Sequence, residues 1–260
     1  MKLFATGRVT VFVISPDGTR HLIFKNRANT LGSNMVGRLN YYTTRKVTSS
    51  PVTHVRMKYG STYVNSAGIT NGTPTAYSTT GYQWLSTGSW QNTTGAGVTI
   101  TDFYLQNRDV PGGELEYATL GGQSVAVGIG ATIEVQWTMI LRQNSSGGTG
   151  MPVAFFNRMC TLFTTATTTS PFTTARYTAQ NALYVDVAMG DPLSGSDVDS
   201  TATAWQMVAT APAGATTLAS IKIYDDAETP LLCDEQAGLS NTWVAATNIT
   251  DTATLTWETV

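Results

Sequence analysis

The run Ile133-Glu134-Val135-Gln136-Trp137-Thr138 alternates apolar with polar side chains and carries a tryptophan at its fifth position. Ala253-Thr254-Leu255-Thr256-Trp257-Glu258 has the same pattern 120 residues later, and the strand-like stretches 98–104 and 218–224 precede the two runs at the same separation. Alternation with a period of two is typical of a β-strand with one buried face. The repeat therefore predicts two related β domains in tandem, with Trp137 and Trp257 in equivalent core positions.

A second similarity relates Phe24-Lys25-Asn26-Arg27-Ala28-Asn29-Thr30-Leu31 to Phe156-Asn157-Arg158-Met159-Cys160-Thr161-Leu162. Between the two halves the composition changes to Gly, Ser, Asn and Thr, which is typical of a flexible linker. We therefore predict a first β-sandwich domain at 1–143, a linker at 144–151 and a second β-sandwich domain at 152–260.

The predicted fold class is mainly β, with two antiparallel sandwiches of jelly-roll or Ig-like type related by internal duplication. Each domain is long enough to bury a core of its own. Residues 7–25 predict a hairpin around the turn Ser15-Pro16-Asp17-Gly18, and 60–81 predicts a long loop. Further strands are predicted near 52–59, 82–90, 98–106, 114–120, 131–141, 182–189, 203–209, 218–225, 229–234 and 252–259.

One short helix is predicted, in the first domain. It begins at Asn29 or Thr30, and Leu31, Met35 and Leu39 place an apolar stripe on one face. The corresponding stretch of the second domain, taken at 164–171, is rich in β-branched Thr and contains Pro171, so no helix is predicted there. Trp84, Trp90 and Trp137 are the expected core anchors.

Charged residues make up only 12% of the chain and the net charge is −2. Thr alone supplies 45 of the 260 residues, so the solvated surface must be largely uncharged and hydroxylated. Without a clustered basic face, no nucleic-acid partner is expected. No apolar run approaches the roughly 18 residues of a membrane span, and Met1-Lys2-Leu3-Phe4 does not begin a signal peptide, so we expect synthesis in the cytoplasm and no membrane partner.

Candidate chemical groups are few. His21 and His54 are the only histidines, and both lie in strand-like alternation, which indicates ordinary strand residues. Cys160 and Cys233 are too few for a disulfide framework, and buried thiols are favoured over a bridge. Gly128-Ile129-Gly130 is too short for a phosphate loop.

Two groups of carboxylates contain the residue types that bind cations. Asp191, Asp197 and Asp199 do not have the spacing of an EF-hand, and solvated loop carboxylates are the favoured interpretation. The same interpretation applies to Asp225, Asp226 and Glu228, which are predicted at a hairpin turn. The sequence thus predicts no catalytic, cofactor-binding or metal-binding residue, no cofactor and no enzymatic activity.

The order of these pieces resembles a group of tailed-bacteriophage virion proteins. The first four matching pieces are Gly7-Arg8-Val9-Thr10-Val11, Asp17-Gly18, Lys25-Asn26 with the helix to Leu39, and Lys58-Tyr59-Gly60 through Pro74. Thr99-Ile100-Thr101-Asp102 and the strand 133–140 complete the match, which covers about the first 141 residues. The loop has one glycine where the group often has two.

The resemblance implies a structural component of the virion. We expect capsid decoration or cementing, with the major capsid protein or other virion proteins as partners and a homo-oligomer or symmetric multicopy assembly. A neck, tail or fibre adaptor is the alternative in the same class. A glycoside hydrolase and a carbohydrate-binding module are the alternatives from other classes.

Overall fold

The computed structural model describes residues 2–107, 115–143, 151, 153–168, 171–193, 200, 202–225 and 234–260, with only the backbone described at 234–237. The fold is mainly β, as predicted, with two helices among the described residues. The elements are β1 Lys2–Ile14, β2 Arg20–Ala28, β3 Thr30–Leu31, α1 Ser33–Thr44, β4 His54–Tyr59, β5 Thr62–Asn65, β6 Ile69–Asn71, β7 Thr75–Ser78, β8 Gly81–Gln91, β9 Val98–Ile100, β10 Asp102–Asn107, β11 Leu115–Leu120, β12 Val125–Val127, β13 Thr132–Gln143, α2 Val153–Thr164, β14 Phe172–Ala179, β15 Tyr184–Ala188, β16 Ala202–Thr210, β17 Leu218–Asp225, β18 Asp234–Ala237 and β19 Asn248–Thr259.

The largest sheet has eight strands and draws on both halves of the chain. Its order is β16-β19-β1-β13-β8-β6, with β2 also paired to β1 and β7 to β8. Strand β1 is antiparallel to β13 along one edge, from Leu3 opposite Gln143 to Ile14 opposite Thr132. Its other edge pairs first with β19, in parallel, and then with β2. The β1–β2 hairpin is therefore confirmed, and β1 joins the last strands of the two halves.

Two smaller sheets complete the two halves. The order β3-β11-β10-β4-β5 uses strands of the first half, and β15-β14-β17-β18 uses strands of the second. Ring contacts connect each to the large sheet: Phe24 of β2 contacts Phe103 of β10, and Phe172 of β14 contacts Trp205 of β16. Strands β9 and β12 form a separate pair.

The two helices are exchanged between the halves. Helix α1 packs on β19 and β16 of the second half as well as on β11, and α2 packs on β8, β13 and β7 of the first half. Phe163 near the end of α2 is stacked on Trp84 of β8, with ring centroids 5.5 Å apart. In the other direction, the Thr203 hydroxyl of β16 donates a buried hydrogen bond of 2.8 Å to the Asn40 side-chain oxygen in α1.

The prediction of a single helix is wrong. Helix α2 at Val153–Thr164 lies before the Thr-rich stretch that was compared with α1, and its buried side chains include Phe155, Met159, Leu162 and Phe163 at helical spacing. The similarity between 24–31 and 156–162 is also not structural, because the first segment lies in β2 and β3 and the second in α2. The predicted long loop at 60–81 contains three short strands, β5, β6 and β7.

The expectation of a separate core in each half is wrong as well. Buried apolar residues from Leu3 to Trp257 belong to one continuous cluster to which both halves contribute. Trp84, Trp137 and Trp257 lie in it as expected, while Trp90 is only partly buried. The linker residues 144–150 lie outside the described residues, so the boundary stays a prediction. On either side of them, the Gln143 side-chain amide makes two hydrogen bonds with the backbone of Met151, of 2.8 and 2.9 Å.

Candidate functional site

The outer face of the four-stranded sheet carries an arginine held between a carboxylate and two tyrosines. Arg176 of β14 lies opposite Asp186 of β15, and its Nε and Nη2 each donate a 2.7 Å hydrogen bond to one carboxylate oxygen. The guanidinium carbon is 4.2 Å from the ring centroid of Tyr184 and 5.5 Å from that of Tyr224. We call these four residues the second arginine cluster.

The first half has a matching arrangement, the first arginine cluster, composed of Arg56, Lys58, Tyr63 and Tyr104. Arg56 of β4 lies 3.9 Å from the Tyr63 ring centroid, and the Lys58 ammonium lies 5.6 Å from it. Tyr104 of β10 is opposite Arg56 and contacts Tyr63, with centroids 6.0 Å apart. The strand neighbour of Arg56 on β5 is Asn65, whereas that of Arg176 is Asp186.

The electrostatics of the two clusters differ. In the second cluster the bidentate hydrogen bonds raise the pKa of Arg176 and lower that of Asp186. In the first, burial, followed by the Asp102 carboxylate and Tyr63, raises the pKa of Tyr104 to about 12. At physiological pH Arg176 and Asp186 are therefore an ion pair, and the Tyr104 phenol is neutral. Arg and Tyr are also the side chains most enriched where proteins bind one another.

Tyr63 and Tyr104 do not form a platform for stacking sugar rings. Such a platform needs two or three exposed aromatic rings in one plane, but the planes of Tyr63 and Tyr104 are inclined by 55°. Tyr184 and Tyr224 lie on either side of the Arg176 strand, β14, on β15 and β17. The ring geometry of the first arginine cluster therefore argues against a carbohydrate-stacking site there.

The second half also contains a cavity of about 190 Å³ between its two sheets, lined by both apolar and polar side chains. Its walls include Phe172, Trp205, Met207 and Leu255, and Asp251 lies at its border. Burial, with the charge of Asp251 as the second cause, raises the pKa of Tyr177 to about 12. The cavity is small, and its polar groups do not form an acid–base arrangement.

The two histidines lie in strands, as predicted. His21 is exposed on β2, and His54 is partly buried on β4, where its Nδ1 is 3.0 Å from the Thr53 hydroxyl. They lie in different sheets. Within the part of the chain that the structure describes, no group of three or more His, Cys, Asp or Glu residues is placed to hold a metal ion.

The structure corrects the interpretation of one carboxylate. Asp225, taken as a solvated turn residue, is buried at the end of β17, where it accepts a 2.5 Å hydrogen bond from Arg158 of α2. No local pattern near Asp225 indicates a partner 67 residues earlier in the chain. Asp191 is exposed, as predicted, and lies 3.6 Å from Arg45. Asp197, Asp199, Asp226 and Glu228 lie outside the described residues.

The remaining candidates occupy structural positions. Cys160 is a free, buried thiol, and burial raises its pKa well above the ordinary value. Cys233 lies outside the described residues. The Gly128–Gly130 stretch is the turn before β13, and Gly130 donates its N–H to the Asn92 carbonyl. Among the described residues, no helix is both long enough and apolar enough to cross a membrane.

Comparisons with family models, curated proteins and solved structures give no match for the chain.

Proposed function

We propose that the chain is a non-enzymatic structural protein of a tailed-phage particle, which decorates or cements the capsid shell through contacts with the major capsid protein or other virion proteins. The observation that carries the proposal is the pair of arginine clusters on the outer faces of the two smaller sheets. They offer Tyr- and Arg-rich surfaces on a scaffold that one core holds together. A neck, tail or fibre adaptor is the second candidate, on the same observation.

We further propose that the two halves arose by duplication of a sandwich module of jelly-roll or Ig-like type. Helices α1 and α2 have the same length and begin 120 residues apart. Thr48 and Thr168, also 120 residues apart, form an antiparallel bridge with each other. A residue that meets its own counterpart is what a twofold axis produces. The exchanged helices support an ancestor that was a homodimer before its two copies were fused.

A decorating protein stabilises its shell by mass action, because it binds the assembled lattice and not the separate subunits. Each copy should bury on the order of 1,000 Å² or more against its neighbours. Particles that lack the protein should assemble but release their genome at a lower temperature or pressure, and added purified protein should restore the stability.

The test compares particles with and without the protein by dye detection of released DNA during heating. Restoration should fail with the double variant Arg56→Ala/Tyr63→Ala and succeed with the control Thr75→Ala, an exposed residue of β7. If particles without the protein are equally robust yet fail to attach to cells, the adaptor role replaces this one. If the Arg56 and Tyr63 variant restores stability fully, the first arginine cluster is not the contact surface.

A further inference from the structure

The two halves of the chain carry opposite net charges, which nearly cancel in the total of −2. Residues 1–143 contain 12 Lys and Arg against 6 Asp and Glu, for a net charge of +6. Residues 144–260 contain 3 Lys and Arg against 11 Asp and Glu, for a net charge of −8. Opposite charges of this size attract over a Debye length, which is about 10 Å at moderate salt.

Part of this attraction acts within the chain. Lys2 and Glu258 are 2.7 Å apart, and Arg45 and Asp191 are 3.6 Å apart, so two cations of the first half already face anions of the second. Each pair cancels one charge in each half, which leaves about +4 and −6 to interact with other molecules. The chain therefore has an electrostatic polarity that a second copy can complement.

The most exposed cationic element is strand β2. All of its residues except Phe24 are exposed, and it carries Arg20, Lys25 and Arg27 without any Asp or Glu. Arg20 is paired with Glu134 at 2.5 Å. Arg27 donates to the uncharged Gln123, and among the described residues neither Lys25 nor Arg27 has a carboxylate partner. Two uncompensated cations therefore lie next to each other on an open edge of the large sheet.

Apolar side chains lie beside these cations. Leu22 is 53% exposed and Ile23 is 43% exposed on the same strand. The pairing of β2 with β1 shifts register at two places, and Asn26 has a φ of 53°. Bulges of this kind make a regular backbone ladder with an added strand unfavourable. A partner would therefore contact β2 through side chains.

We propose that the β2 surface, defined by Leu22, Ile23, Lys25 and Arg27, binds the acidic second half of another copy of this chain. Contact between two β2 surfaces is disfavoured because it would bring Lys25 and Arg27 of one copy against those of the other. The acidic half supplies the opposite charge, and the two exposed aliphatic residues supply apolar contact. The inference concerns contacts between copies in solution, so it stands whether or not the virion role is correct.

The experiment measures self-association of the full chain by sedimentation velocity at about 20 mM and about 300 mM salt, where screening differs several-fold. We expect association at low salt that weakens about tenfold or more at high salt. The variant Lys25→Gln/Arg27→Gln should weaken low-salt association by about tenfold or more, since it removes two interfacial charges. The control Thr75→Glu/Ala76→Glu makes the same change in net charge on the exposed strand β7 and should leave association intact.

Three results would overturn the proposal. One is a monomer at every salt and protein concentration, and another is association that strengthens with salt. The third is equal weakening by both double variants, which would indicate net charge alone. A labelled DNA duplex is tested in parallel, and tight binding that the Lys25 and Arg27 variant abolishes would assign the surface to nucleic acid instead. Equal melting temperatures for all variants show that folding is unchanged.

Discussion

Phe163 of α2 is stacked almost flat on Trp84 of β8, with 5.5 Å between ring centroids and 10° between ring planes. Phe163 belongs to the second half of the chain and Trp84 to the first. The same ring also contacts Tyr42 of α1 and Tyr117 of β11. One aromatic side chain thus joins the helix of one half to the core of the other, and the two halves should unfold together.

Phe163→Ala should lower the free energy of unfolding by about 3–5 kcal/mol, the usual range for a buried Phe. The loss should appear in one cooperative transition, because the cavity lies in a core that both halves share. Urea unfolding followed by tryptophan fluorescence and by far-UV circular dichroism measures it. Asn157→Ala, an exposed change on the same helix, is the control. Two separate transitions, only one of them shifted, would contradict a shared core.

Arg158→Ala should cost more than Arg176→Ala, although both remove an arginine from a carboxylate. Asp225, the partner of Arg158, has a side chain only 3% exposed, so its buried charge would lose the arginine, at a cost of about 3–5 kcal/mol. Asp186, the partner of Arg176, is 40% exposed, and exposed pairs contribute about 1 kcal/mol or less. Equal losses in chemical denaturation would show that Asp225 reaches water.

The Tyr104 hydroxyl should titrate near pH 12. Burial is the main cause, so Asp102→Asn should lower its pKa without bringing it to the ordinary value of 10. The pKa of Tyr104 should fall because removal of a nearby carboxylate favours the charged phenolate. Ultraviolet absorbance, with Tyr104→Phe subtracted and folding checked at each pH, measures the change. A pKa that rises in Asp102→Asn would contradict the assignment of this neighbour.

The Arg176–Asp186 pair should stabilise the fold at neutral pH and lose that contribution in acid. The folded-state pKa of Asp186 is lowered, so its contribution is present above the ordinary value of 3.8 and is lost as the pH falls through the lower folded value. Asp186→Asn should therefore reduce stability at neutral pH slightly and flatten its fall below about pH 4. Thermal melting between pH 2 and pH 7 measures this effect. If the melting temperature of Asp186→Asn falls below pH 4 as steeply as that of the unchanged protein, the prediction is wrong.

Cys160 should resist thiol reagents in the native state. It is buried, and burial raises its pKa, so the reactive thiolate is scarce and inaccessible. In a Cys233→Ser background, labelling of Cys160 should occur only as fast as the chain opens and should become rapid in urea. Fast labelling without denaturant would place the α2 helix outside the core.

The sequence predicts most of the longer strands because their alternation is local, but it does not predict β14. The β1–β2 hairpin, β4, β8, β10, β11, β13, β16, β17 and β19 all lie near the predicted runs. Helix α2 is not predicted because the Thr-rich stretch that follows it disfavours a helix, although Phe155, Phe156 and Met159 have helical spacing. The exchange of helices could not be predicted, since Phe163 and Trp84 are related only by packing.

The candidate surfaces were less predictable than the strands. The alternation of β4 places Arg56 away from the core, whereas β14, which carries Arg176, is not among the predicted strands. The neighbouring tyrosines of both clusters come from strands whose register no local pattern fixes. The charge division, by contrast, is visible in the sequence once the two halves are counted separately. The net charge of the whole chain does not show it, because the opposite charges of the two halves nearly cancel.

The pairing of Lys2–Ala5 with 256–259 has a mechanical consequence. These segments run in the same direction, and Val260 donates its N–H to the carbonyl of Ala5 at 3.1 Å. A pull that separates residue 2 from residue 260 therefore loads several backbone hydrogen bonds sideways at the same time, instead of opening them one after another. Under tension applied at residues 2 and 260, this short parallel ladder should act as a mechanical clamp. Its strands can separate only when its hydrogen bonds break together.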